Sequence, residues 1–375
     1  MDQNLDITIN RLSAKTWYWL KMNEARVPVR DVFRSAESVI SLPKGMGERH
    51  IKDSAIWKKI ETGMGRDMEQ IASEFGANLI FSWHYEEDGS EITRATDAPA
   101  VIRLSRKGNA DFAKYYIYAD ANTALDVVIV AGRAPEKADH ETGDRDTVLR
   151  GEEKISRILA HQVKIYAEEG SKVRLYEIQL PGSGDTFLCD IGGICEENAA
   201  IELTRVELGE GSIYTGVNID LAGTESRFTS KVGYLAAADD KLDMNYAVRH
   251  HGKRTRSNMA VSGILRDNAS KIFRGTIDFI AGCEGAKGDE SEEVLLLGDS
   301  VVNRTIPLIL CEEEDVEGNH GASIGELDEK TLFYLAARGI SAEDAKRLVA
   351  RARIESVAAG IPDETVREEI ERCLA

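Results

Sequence analysis

The chain has 375 residues, enough to bury a large core and to hold more than one structural unit of roughly 100–200 residues. Its 47 Lys and Arg stand against 65 Asp and Glu, a formal charge of −18, and so acidic a surface argues against duplex nucleic acid, whose phosphates need clustered cations. The longest apolar runs, such as 127–131 and 294–297, fall far short of the roughly 18 residues that suggest a membrane span.

The opening Met1-Asp2-Gln3-Asn4 has neither a basic nor an apolar segment, and no secretory signal is expected. Five cysteines (Cys189, Cys195, Cys283, Cys311, Cys373) are an odd number, so reduced thiols in a cytoplasmic chain are expected rather than a disulfide framework.

Residues 1–98 mix helical and turn signals. Ser13-Ala-Lys-Thr-Trp17-Tyr-Trp19-Leu20 opens an aromatic-rich helix candidate, and apolar spacing predicts two further helices over 56–64 and 67–75. Trp17 and Trp19 read as packing residues, because large aromatics mostly serve cores.

From residue 99 the apolar period falls to two. Val101-Ile-Arg-Leu, Tyr115-Tyr-Ile-Tyr, Val127-Val-Ile-Val and Lys172-Val-Arg-Leu-Tyr-Glu-Ile predict strands bounded by Gly, Asp and Asn. The stretch 152–160 lacks this alternation and is expected as a helix. After residue 210 a repeat begins. Segments opening Gly211-Ser-Ile-Tyr, Ser226-Arg-Phe-Thr, Lys241-Leu-Asp-Met, Arg256-Ser-Asn-Met and Lys271-Ile-Phe-Arg start fifteen residues apart. Each holds eight to ten strand-like residues and then a polar turn such as Ala222-Gly-Thr-Glu or Asp267-Asn-Ala-Ser. This spacing fits a β-solenoid, a sandwich or a barrel. Its evenness favours a coil in which each turn stacks on the last, since a sandwich varies its connections and shows hairpin turns.

Beyond Gly325 helical spacing returns. Asp328 is placed to cap a helix over 329–338 that stops at Gly339, and Ser341 with Asp344 forms a capping-box pattern for 342–359. Pro362 falls in the first turn of a last helix whose Val366, Ile370 and Leu374 line one face. The expected organisation is a helical or mixed region over 1–98, a β core over 99–311 and a helical domain over 312–375.

Familiar enzyme signatures are missing: no phosphate-cradling Gly-x-x-x-x-Gly-Lys loop, no His-Glu-x-x-His, no Cys-x-x-Cys and no Gly-x-Ser-x-Gly occurs. Soft metal ligands remain. Cys311, an acidic run over 312–315 and His320 fall within ten residues, directly before a helix. Thiolate, with imidazole or carboxylate as more labile substitutes, suits iron–sulfur chemistry. Cys283, Cys311 and His320 are the candidates, with Glu292, Glu293 and Glu317 as nearby carboxylates. Cys283 and Cys311 lie 28 residues apart, close to two repeats, which predicts that they sit above one another at the end of the coil.

Each has a plainer reading: a lone Cys in a strand is commonly a small buried hydrophobe, His320 can brace a turn, and an acidic run is ordinarily a solvated face. Cys189 and Cys195 have the even separation of one strand face, but Gly192-Gly193 between them predicts a bend. His250-His251 with Lys253 and Arg254 reads as turn packing, and Cys373 as incidental.

Asn319-His320-Gly321-Ala322, Leu327-Asp328-Glu329 and Leu332-Phe333-Tyr334 through Arg338-Gly339-Ile340 together resemble the carboxy-terminal signature of the SufB/SufD family, scaffolds of iron–sulfur cluster assembly. Phe273-Arg-Gly275-Thr-Ile277, Leu295-Leu-Leu-Gly298 and Pro307-Leu-Ile-Leu310 extend the resemblance, which is weak before residue 100. It implies a right-handed parallel β-helix, hence a mainly β fold with α regions at both ends. It also implies a non-catalytic scaffold that builds a transient iron–sulfur cluster near Cys283, Cys311, His320 and Glu292. The implied partners are a SufC-like ABC ATPase, docked on the carboxy-terminal helices through Leu332, Phe333, Tyr334 and Arg338, a sulfur donor and cluster acceptors. The scaffold itself would be a homodimer or half of a SufB/SufD-type heterodimer, with neither nucleic acid nor membrane as partner.

Two departures stand out. Glu292 replaces the Cys that SufB-type scaffolds carry before Leu-Leu-x-Gly, and Ile219 or Asp220 falls where their sulfur-accepting Cys lies. His320-Gly321-Ala322 follows the SufD pattern, which leaves a SufD-like supporting subunit without its own cluster as the alternative. A β-helical polysaccharide lyase or hydrolase is the reading from another class. Reduced thiols and the lack of Trp beyond the first hundred residues speak against it.

Overall fold

The period-two segments fold as strands that alternate between two facing sheets, winding a parallel β-helix of about seven turns. The computed structural model describes residues 5–16, 18–52, 54–82, 85–87, 90–92, 98–132 and 157–374. One sheet stacks Ala110–Ala119, Arg157–Ala167, Asp185–Cys195, Gly211–Leu221, Lys241–His250, Ser270–Phe279 and Val302–Cys311 in parallel. The other stacks Ala100–Ser105, Ala124–Gly132, Lys172–Leu180, Ala200–Leu208, Arg227–Ala236, Arg256–Leu265, Ala286–Leu296 and Val316–Gly325. Ser212 pairs with Lys241 and Lys241 with Ser270, so one turn takes about two fifteen-residue repeats, one for each sheet.

Alternation sends every second residue inward, and the stacking aligns these residues into columns. Val163, Ile191, Val217 and Tyr246 form one such column, all fully buried. Each buried apolar side chain of this kind contributes roughly 1.5–3 kcal/mol. The corners repeat as well. Asn122, Asn198, Glu225 and Arg254 adopt left-handed φ near one corner, joined by Gly170 and Gly285. The N–H of each of these six residues donates to a carbonyl of the next turn, as from Asn198 to Thr224 (2.9 Å) and Arg254 to Glu284 (2.9 Å). The polar turns seen in the sequence are thus the hydrogen-bonded edge of the coil.

The amino-terminal region is more β than expected. Ser13–Leu20 yields only a 3₁₀ turn at Tyr18–Leu20, and Trp19 is 71% exposed rather than packed; Trp17 lies outside the described residues. The two predicted helices form but are shorter, α1 at Ala55–Lys59 and α2 at Arg66–Ala72. Glu37–Ser41 and Met46–Ile51 add antiparallel strands to the first turns of the coil, and Ala77–Ser82 joins it in parallel, so the β-helix draws on residues before 99.

Two further expectations fail. Within 152–160, residues 157–160 open the strand Arg157–Ala167 instead of a helix, because its mixed run Ile158-Leu-Ala-His161 is inward and outward apolar alike; 152–156 lie outside the described residues. Gly192-Gly193 makes no bend: Asp185–Cys195 is one strand. The glycines are needed for space, since a Cβ at Gly193 would press on Ile201 (2.8 Å) and Ile219 (2.9 Å), and one at Gly192 on the α1–α2 connection.

At the other end, Val316–Gly325 pairs with Ala286–Leu296, so the segment expected to be helical from residue 312 begins with the last strand of the solenoid. Helices follow: α3 at Glu329–Ala336, α4 at Ala342–Ala358 and α5 at Glu364–Cys373. The side chains of Asp328, Ser341 and Asp363 accept hydrogen bonds from the Thr331, Asp344 and Val366 N–H groups. Pro362 therefore precedes the cap instead of occupying the first turn. Ala350, Ile354 and Ala358 of α4 pack on the outer face of the second sheet with Ile178, Val206 and Ile264. Arg103 pairs with the buried Glu369 of α5 at 2.8 Å, fastening the helices to the coil. No helix among the described residues is long and apolar enough to cross a membrane.

Candidate functional site

Two of the inward columns end, on the last turn, in exposed side chains. Cys311 closes the column Cys195, Leu221, His250, Phe279, Cys311. Its thiol is exposed and donates to the Glu313 carbonyl at 2.9 Å. His320 closes the column Ser230, Met259, Glu290, His320 from the opposite sheet, and it too is exposed. The rim thus carries one thiol and one imidazole, each continuing an otherwise buried column.

The other sequence-predicted ligands lie elsewhere. Strand pairing stops at Phe279, so Cys311 stacks on Phe279 and Cys283 falls in the corner that follows; the two thiols are not superposed. Cys283 is fully buried, and burial pushes its thiol up to about 11, with the charges of Glu313 and Cys311 adding to the rise. A thiol held in its protonated form within this corner is poorly placed to take up iron at the rim. Glu292 points inward, buried against the Lys271 ammonium, and accepts from Thr305 Oγ1 at 2.5 Å. Burial pulls the Lys271 pKa down, opposed by the Glu292 charge. The carboxylate expected in a labile ligand shell is therefore committed to an internal ion pair. Glu293 and Glu317 take the outward alternation and are exposed, with Glu317 paired to Lys287 at 2.6 Å.

Beneath the rim, Glu290 is directly below His320. Burial and the neighbouring Glu292 charge push its carboxyl up to about 7, while Lys271 pulls it down. On α3, Leu332 is half-buried, Phe333 is 76% exposed and Tyr334 55% exposed. The Arg338 guanidinium lies 3.6 Å from the Tyr334 ring centre, stiffening a small aromatic patch.

Sequence reasoning missed a second polar cluster, deep inside the coil. His161, Glu177 and Cys189 meet across the two sheets, all buried. His161 Nε2 lies 3.0 Å from Glu177 Oε2, and Cys189 Sγ lies 3.6 Å from the same oxygen. Arg205 donates to Cys189 Sγ at 3.0 Å, to Glu207 at 3.0 Å and to Thr215 at 2.9 Å. Burial works to lower the His161 pKa, but Cys189 and Glu177 together raise it to about 10. The signal in the sequence was parity: these polar residues take inward positions of apolar strands.

Residues 106–353 match the family profile described as SUF system FeS cluster assembly, SufBD core domain. Similar curated proteins include the iron–sulfur cluster assembly protein SufD of Bacillus subtilis (strain 168), 26% identical over 185 residues, or 49% of this chain and 42% of that protein. SufB of the same organism is 25% identical over 202 residues, 54% of this chain and 43% of that protein. The iron–sulfur cluster assembly SufBD family protein ycf24 of Galdieria sulphuraria is 29% identical over 206 residues, 53% of this chain and 93% of that protein. The matched stretch thus spans less than half the length of the two Bacillus relatives. The match supersedes the polysaccharide lyase or hydrolase reading. With the profile covering most of the chain and the turns of the β-helix as its scaffold, the chain belongs to the SufB/SufD family of the SUF iron–sulfur cluster assembly system.

Proposed function

We propose that this chain is a non-catalytic scaffold subunit on whose solenoid rim iron and sulfide, the cargo of the system, are assembled into a labile cluster. The observation that carries this reading is that the last turn of a SufBD core exposes both a thiol, Cys311, and an imidazole, His320, on its two sheets. Thiolate holds iron firmly and imidazole holds it less so, which suits a cluster that must leave. Two ligands do not enclose a cluster, so a second copy, or a SufB/SufD-type partner, supplies the rest by apposing its own rim. Cys283, buried in its corner, and Glu292, buried against Lys271, are left out of this ligand set.

The exposed Phe333 and Tyr334 on α3 and Arg338 in the turn after it, with Leu332 behind them, are the docking patch for a SufC-like ABC ATPase, which supplies the work of opening and closing. A sulfur donor and acceptor proteins complete the set, in the cytoplasm. The test is anaerobic co-expression with the cognate ATPase, followed by iron and acid-labile sulfide analysis of the purified complex. Wild type retains both, while Cys311→Ser and His320→Ala lose them with the complex intact. An iron-free but stable ATPase complex in wild type favours the SufD-like supporting role, which the His320-Gly321-Ala322 pattern suggests. No ATPase binding defeats the proposal.

A further inference from the structure

The cluster inside the coil is separate from the rim. In the column His161, Cys189, Thr215, Met244, Phe273, Thr305, two apolar turns stand between the inner thiol and the Thr305–Glu292–Lys271 group. The facing column Glu177, Arg205, Val232, Val261, Glu292 is interrupted by the same two turns. His161 is 1% exposed and Glu177 and Cys189 are 0% exposed, so three ionisable groups have left water together. Such burial is costly unless the groups are bonded or ligated.

Their geometry is that of a ligand set. The imidazole, carboxylate and thiol donor atoms all lie within 4.8 Å of one another. A tetrahedral ion bound at about 2.0–2.1 Å from N and O and about 2.3 Å from S separates its ligands by about 3.3–3.6 Å. The 3.0 Å from His161 Nε2 to Glu177 Oε2 and the 3.6 Å from that oxygen to Cys189 Sγ bracket this range. Arg205, held by Glu207 and Thr215, donates to the thiol sulfur and fixes its position beside Glu177. On the next inward position beyond Glu177, Gln179 is fully buried, and neither amide atom has a hydrogen-bond partner among the described residues.

We propose that His161, Glu177 and Cys189 bind one late first-row divalent cation, of the Fe²⁺, Co²⁺ and Zn²⁺ class, as a mononuclear site inside the β-helix. Mixed N, O and S donors select this class over Mg²⁺ and Ca²⁺, which require oxygen. The ion ties three successive strands across both sheets. Because every ligand atom is enclosed, it enters as the coil closes around it and leaves slowly afterwards.

The test uses the full chain, unfolded in chelator and refolded anaerobically with Co²⁺ as the probe. One equivalent is expected to bind, with a thiolate-to-cobalt charge-transfer band and four-coordinate visible bands. The charge-transfer band is lost in Cys189→Ser, persists in Cys283→Ser and Cys311→Ser, and the affinity falls at least tenfold in Glu177→Gln. Cobalt-edge X-ray absorption of wild type, which needs no variant, is expected to show a single sulfur scatterer with nitrogen and oxygen. No charge-transfer band, a band that survives Cys189→Ser, or a sulfur count other than one overturns the proposal. Its failure is distinct from failure of the rim reading, since Cys311→Ser removes a rim ligand and leaves this site whole.

Discussion

Cys311 stands one turn above Phe279 in the same inward column, so the side chain that would be core in any earlier turn is a free thiol at the end of the coil. Thiol chemistry should therefore divide the five cysteines. Cys311 and Cys373 are exposed, whereas Cys189, Cys195 and Cys283 are enclosed, and burial holds the Cys195 and Cys283 thiols well above their ordinary range. Titration of the metal-free chain with a chromogenic disulfide should show two fast thiols and three that react only on unfolding. Cys311→Ser should leave one fast thiol; an unchanged count contradicts the placement of Cys311.

Gly263 faces the Tyr234 ring, which occupies the space a Cβ there would need. Both are inward on adjacent turns of the second sheet. Gly263→Ala should therefore force the ring aside and destabilise the fold by about 1–3 kcal/mol, the usual cost of overpacking. Urea unfolding of the two proteins measures it, and a loss under about 0.5 kcal/mol would mean that the column yields easily.

His250 sits buried at the corner, its ring nitrogens 2.7 Å from Thr255 Oγ1 and 2.9 Å from Ser257 Oγ. Burial, with a smaller contribution from His251, lowers its pKa from 6.5 to about 4. Between those values the unfolded chain binds a proton that the folded chain does not. The stabilisation is full above pH 6.5, falls as the pH drops and is gone below pH 4. A shift of this size corresponds to about 3 kcal/mol. Unfolding free energies measured from pH 7 to pH 4 should show the decline, and His250→Asn should flatten it. An equally steep decline in that variant would assign it to other groups.

Phe333 and Tyr334 cover little of their own protein, so their removal should leave the fold alone and weaken ATPase docking. Exposed aromatic anchors of this kind commonly supply more than 1 kcal/mol each to an interface. Phe333→Ala with Tyr334→Ala should raise the dissociation constant by at least tenfold while shifting the melting temperature little. Undiminished affinity places the docking patch elsewhere.

The coil itself was legible because its physics is local and repetitive. Period-two alternation gave the strands, and the fifteen-residue spacing from Gly211 to Lys271 matches the alternation between sheets. The helix caps at Asp328 and Ser341 were legible for the same reason. What failed depended on tertiary neighbours. Gly192-Gly193 looked like a bend because the chain packed against it is distant in sequence, and Trp19 looked like core because nothing local marks it as exposed. Within the candidate site, Cys311 and His320 share the rim, but residue counting could not show that Cys283 turns into a corner or that Glu292 meets Lys271 across the coil. The inner cluster escaped notice because His161, Glu177 and Cys189 converge only once two sheets face each other.

The central claim, that the rim imidazole and thiol hold the assembled cluster, is tested most directly by hyperfine spectroscopy of the reduced cluster with ¹⁵N-histidine-labelled protein. The account predicts a nitrogen coupling in wild type that vanishes in His320→Cys while the cluster itself is retained, and loss of the cluster in Cys311→Ser. A coupling unchanged by His320→Cys, or full cluster content in Cys311→Ser, would contradict it.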